Sequence, residues 1–121
     1  MRRVARVLGG IALLVGGMSQ VQAHAFLDHA VPAVGSAVHG SPREVSVWFT
    51  EELEPAFSSV RVVDRSGKRV DKGDKEVTGP DRRVLRVSLQ PLAPGTYRVF
   101  WLALSLDAHV TEGDHRFEVL P

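Results

Sequence analysis

Two short stretches of this 121-residue chain carry residues that could do chemistry together. The first is His24. It follows Val21-Gln22-Ala23, a small-residue pattern of the kind at which a leader is removed. Residues 1–23 supply the rest of a secretory signal peptide, with a basic start (Arg2, Arg3, Arg6) and an apolar stretch over 7–15. Cleavage after Ala23 would make His24 the first residue, and its free α-amine and ring Nδ1 could then chelate one metal ion. The second stretch is Asp107-Ala108-His109, a carboxylate and an imidazole two residues apart. Together they offer three nitrogens and one oxygen, a donor set that suits Cu(II).

Each half has a plainer reading. His24 would merely follow the cleavage site and stand in solvent. Asp107 would make a turn hydrogen bond in an ordinary polar loop, with His109 solvated. In extended backbone, residues two apart point the same way, so Asp107 and His109 could instead face one metal. The halves reinforce each other only if the fold brings residue 24 beside the 105–111 loop. An α-amine titrates near pH 8, so Cu(II) must displace its proton, and binding should weaken on acidification.

The other histidines invite less. His29 and His39 read as surface residues of the early, loop-rich region. His115 shares strand parity with Phe117 and Val119, which makes it a core-edge or capping histidine, with an auxiliary metal contact as the alternative. Trp48 and Trp101 read as packing residues. Trp101 is near enough in sequence to Asp107 to report on bound copper by fluorescence quenching if the fold places it nearby.

Composition narrows the field. Without residues 1–23 about 98 remain, the size of one small domain. The leader's apolar stretch is too short to span a bilayer, and no second apolar run follows, so no membrane insertion of the mature chain is expected. Arg2-Arg3 alone does not establish twin-arginine export, and ordinary secretion is the reading taken. The formal charge of +1 loses Arg2, Arg3 and Arg6 with the leader, leaving twelve basic against fourteen acidic residues. No dense basic run with interleaved aromatics exists, which argues against nucleic acid. Cysteine is absent, and both methionines, Met1 and Met18, lie in the leader. The mature chain therefore has no sulfur, the soft donor that Cu(I) prefers.

The elements that must position these groups are strands. Short alternating runs broken by Gly, Pro, Asp and Ser predict strands near residues 24–31, 44–50, 59–64, 68–71, 84–89, 96–104 and 113–120. Val45, Val47 and Phe49 should face inward, with Ser46, Trp48 and Thr50 outward. Val60, Val62, Leu85, Val87, Leu89, Phe117 and Val119 should also face the core. Residues 64–67 form a hairpin-type turn, and 72–81 a polar loop. The sum is an all-β, immunoglobulin-like β-sandwich of about seven strands with Greek-key connections and no disulfide.

Several short motifs then fall in order along the domain. They are His24-Ala25-x-Leu27, Pro32-Ala33-x-Gly35, Phe49-Thr50-Glu51, Pro94-Gly95-Thr96-Tyr97, Ser105-x-Asp107-x-His109 and Gly113-x-x-x-Phe117. In this series the chain resembles the CopC family of periplasmic copper-binding proteins. The resemblance implies a periplasmic β-sandwich over 24–121, not an enzyme, that binds one Cu(II) through His24 (amine and Nδ1), Asp107 and His109. It implies a supporting role for Glu51 beside the N-terminal group, with Glu52 and Glu54 as solvated carboxylates. A Cu(I) site in a Met- and His-rich loop, which some members add, should be absent here. The implied partner is a CopD-type inner-membrane copper transporter.

Two other classes remain in view. Polysaccharide monooxygenases also use an N-terminal histidine on a related sandwich, but they are longer and present exposed aromatics to substrate. A metal-free structural sandwich would take up no stoichiometric copper. No Ser-His-Asp arrangement, phosphate loop or paired-carboxylate motif supports hydrolysis or phosphoryl transfer.

Overall fold

The computed structural model describes residues 25–121. The leader, its cleavage point and His24 lie outside the described residues.

Among the described residues, eight strands form two four-stranded sheets. The first sheet contains β1 (Leu27–Val31), β3 (Glu44–Phe49), β6 (Val84–Ser88) and β5 (Glu76–Thr78), in the order β1-β3-β6-β5. The second contains β2 (Ala37–His39), β8 (Val110–Leu120), β7 (Gly95–Leu104) and β4 (Ser59–Val63), in the order β2-β8-β7-β4. All pairings are antiparallel except that of β2 with β8. Alternation does the expected work. Val45, Val47, Phe49, Val60, Val62, Leu85, Val87, Leu89, Phe117 and Val119 are all buried in one core between the sheets.

Several expectations need correction. Residues 68–71 form no strand, only isolated bridges of Arg69 with Val63 and Asp71 with Leu89. Asp71 explains why. Its buried carboxylate accepts from the backbone N–H groups of Val62 at 2.8 Å and Gly73 at 2.9 Å, and from Arg69 Nε. A side chain thus takes over ladder bonding there. Conversely, the polar 72–81 stretch contains strand β5. Glu76 pairs in register with Arg86, whose guanidinium reaches Glu76 Oε1 at 2.6 Å and Glu44 Oε1 at 2.9 Å. An ion-paired edge strand has no apolar alternation to reveal it. Strand β2 is too short to be read from its pattern, and His39 sits on it rather than in a loop. Strand β8 begins at Val110, three residues earlier than its apolar pattern suggests. Ser46, assigned to the outward face, is buried. That face is partly roofed by His29, whose ring stacks on Trp48 with centroids 4.4 Å apart.

The long β7–β8 hairpin is the frame for the site. It pairs from Gly95 opposite Val119 to Leu104 opposite Val110. Gly113 faces Trp101 across it, and a Cβ at Gly113 would stand 2.6 Å from Trp101 Cζ2. Glycine is required there because the indole lies over the strand. The same indole meets Phe49 edge-on at 5.2 Å and so ties the hairpin to the opposite sheet.

Candidate metal centre

The hairpin closes through residues 105–109. Ala108 N–H donates to Ser105 O at 2.9 Å, Ser105 N–H donates to His109 O at 3.0 Å, and Ala108 sits at φ +69°. This is a turn followed by one left-handed residue, a standard way to end a hairpin. Left-handed backbone costs a non-glycine residue on the order of 1 kcal/mol. Asp107 and His109 are therefore not two apart on an extended strand, as expected from the sequence. The turn brings them together instead, with His109 Nδ1 3.1 Å from Asp107 Oδ2.

Ser105 fixes the carboxylate. Its hydroxyl donates to Asp107 Oδ1, while Oδ2 faces the imidazole. The Ser105 hydrogen bond, followed by His109, holds the Asp107 carboxyl below the ordinary carboxylate range. The same contacts favour the carboxylate form of Asp107. Both side chains are about half exposed, at 42% and 46%, so a solute can reach them. The spacing also suits a metal. Two donors each about 2.0–2.1 Å from one ion, at roughly a right angle, stand about 3 Å apart. Among the described residues no three His, Asp or Glu side chains converge on one point. A metal held by this pair would need further donors.

Ala25 is tied to the same hairpin. It is fully buried, and its carbonyl accepts a hydrogen bond from Thr111 Oγ1, two residues beyond His109. The next residue is clamped from the other sheet. Phe26 N–H donates to Thr50 Oγ1 at 3.0 Å, and Thr50 N–H donates to Phe26 O at 2.9 Å. The chain that leads to residue 24 is therefore held against the β7–β8 turn.

The acidic segment after β3 faces the same turn. Glu51 and Glu52 line a depression of about 210 Å³ with Ser105, Leu106 and Asp107. Glu52 is not simply solvated, since it shares this wall and lies 3.8 Å from Arg82 Nε. Nor is Glu54, which caps the 3₁₀ turn at Pro55–Phe57 by accepting from Ala56 N–H at 3.1 Å. Sequence reasoning missed Thr50, Ser105 and Thr111 as the residues that hold the pieces together. Thr50 and Ser105 sit inside quoted motifs; Thr111 carries no signal of its own.

His29 and His115 have different neighbours. His29 is exposed and 2.7 Å from Asp28. His115 is buried opposite Val99, and neither ring nitrogen has a hydrogen-bond partner among the described residues. It caps nothing. Burial pulls its pKa down, opposed by Asp114, which favours the neutral ring. Its strand position is about 17 Å from the turn by strand rise.

The class of molecule is now defined: a disulfide-free two-sheet sandwich with an Asp-x-His hairpin turn beside residues 25 and 26. The CopC domain model matches residues 27–120, and the chain belongs to the CopC family. It is 33% identical over 100 residues to the protein YobA of Escherichia coli K12, covering 82% of this chain and 81% of YobA. The crystal structure of CopC from Methylosinus trichosporium OB3b superposes with a TM-score of 0.75 at 37% identity, over 81% of this chain and 95% of that one. PcoC from Escherichia coli, described as a methionine-rich copper resistance protein, superposes with a TM-score of 0.69 at 33% identity, over 80% of this chain and 99% of that one. Among the described residues no helix is long and apolar enough to cross a membrane.

Proposed function

We propose that this chain is exported to the periplasm, loses residues 1–23, and sequesters or carries one Cu(II) as a non-enzymatic copper-homeostasis protein. The ligands are the His24 amine and Nδ1, Asp107 and His109. The observation that carries the reading is the hydrogen bond from Thr111 to Ala25. Consecutive Cα atoms are about 3.8 Å apart, so pinning Ala25 beside the turn limits how far His24 can lie from Asp107 and His109. The 3.1 Å spacing of that pair adds two adjacent donors of the right kind. Glu51 supports the N-terminal group from the facing wall. An anionic oxygen and imidazole favour Cu(II), and residues 24–121 hold no methionine or cysteine for Cu(I). In this reading the protein delivers its copper to, or receives it from, a CopD-type inner-membrane transporter.

The test compares Cu(II) binding by protein starting at His24 with the same protein carrying one extra N-terminal glycine. The extension destroys the amine chelate and leaves the fold intact. A tight one-to-one site with a nitrogen-rich electron paramagnetic resonance spectrum, lost in the extended form, is the expected result. Equal binding by both proteins, or none by either, would sink the proposal.

A further inference from the structure

The outer face of the second sheet carries a feature the copper reading does not use. Arg61, Arg65, Arg98 and Arg116 line a concavity of about 480 Å³ around Phe100, and no lysine joins them. Arg98 and Arg116 stand directly opposite each other on β7 and β8, a placement in which like charges weaken a sheet. Phe100 holds two of the guanidiniums, with Arg61 Cζ 4.2 Å and Arg98 Cζ 5.3 Å from its ring centroid.

Counter-charge is scarce there. Asp114 takes Arg98 at 2.7 Å. Asp64 also lines the groove, but one carboxylate oxygen accepts from Ser66 N–H, Ser66 Oγ and Lys68 N–H. Arg61, Arg65 and Arg116 have no ion-pair partner among the described residues. This concentration of positive charge stands on a domain whose residues 24–121 carry twelve basic against fourteen acidic side chains.

We propose that this groove docks an acidic segment of a partner protein, whose carboxylates are gripped by the forks of Arg61 and Arg116. The contact with Phe100 orders the Arg61 guanidinium before binding, which reduces the entropy lost on contact. Arginine forks match carboxylates two bonds at a time, and lysine does not. The concavity favours a protruding segment over a flat bilayer, which would meet the rim and leave Phe100 uncovered. Arg98 lies six residues along β7 from Leu104, about 20 Å by strand rise. A docked partner therefore leaves the 105–109 turn open.

The experiment titrates a fluorescein-labelled poly-glutamate peptide into the chain from His24, without metal, and reads anisotropy. Saturable one-to-one binding that weakens with salt is expected, with amide shifts in nuclear magnetic resonance spectra confined to β4, β7 and β8. Arg61→Glu with Arg116→Glu should lose about tenfold or more in affinity. Should that pair fail to fold, Arg61→Lys with Arg116→Lys carries the test, because it keeps the charge and loses only the forks. It should bind the peptide measurably more weakly than the parent. Absence of peptide binding, unchanged affinity in the folded variants, or binding only to phosphatidylglycerol vesicles would overturn the proposal.

Discussion

His109 and His115 stand six residues apart on one hairpin and have opposite fates. His109 ends a turn, half exposed, 3.1 Å from an ionised carboxylate. His115 faces the core with both ring nitrogens unpartnered among the described residues. The side chain is the same, so its surroundings decide its chemistry. Beside Asp107 an imidazole keeps access to solvent and has a carboxylate neighbour; buried opposite Val99 it loses hydration, which lowers its pKa. The comparison teaches that a histidine count says little about a metal site until burial and neighbours are known.

The strongest way to break the comparison is to remove each imidazole in turn. Asp107→Ala or His109→Ala should weaken Cu(II) binding by more than the roughly 10–100-fold typical of changes beyond the ligands. His115→Phe should leave Cu(II) affinity unchanged in the same titration. Copper loss on changing His115 would erase the distinction.

Asp71→Ala tests whether the two regions are separable. It strands the N–H groups of Val62 and Gly73, and should cost about 2 kcal/mol in urea unfolding. Copper affinity of the folded fraction should not change. A smaller contrast concerns Ser105, whose hydroxyl holds Asp107 Oδ1. Ser105→Ala should raise the Asp107 pKa and lower Cu(II) affinity about tenfold, read by isothermal titration. The smallest effect is the pH dependence of His115. Its folded pKa lies below the unfolded value, so the unfolded state binds the extra proton first. The stability contributed by the neutral ring is present above about pH 6.5 and is lost as pH falls from there toward the folded pKa. His115→Phe should flatten that part of the Tm-against-pH curve.

Trp101 offers an optical check on the same frame. It lies three residues along β7 from Leu104, about 10 Å from the turn by strand rise. Its emission should fall on Cu(II) binding and stay unaffected in His109→Ala.

Much of this was legible in the residues. The inward placement of Val45, Val47, Val60, Val62, Leu85, Val87, Phe117 and Val119 follows from apolar alternation, because one sheet face meets the core. The early histidines belong to the surface, as their positions suggest. What escaped notice has one physical cause, which is polar bonding without apolar pattern. Strand β5 is held by Arg86 and its two glutamates, residues 68–71 by the carboxylate of Asp71, and the Asp107–His109 approach by Ser105 and a left-handed Ala108. Residue type and spacing determined which donors this protein owns and which it lacks. Only the tertiary structure decided that Thr111 and Thr50 clamp residues 25 and 26 beside the turn. Those contacts join positions far apart in the chain, and no local pattern encodes them.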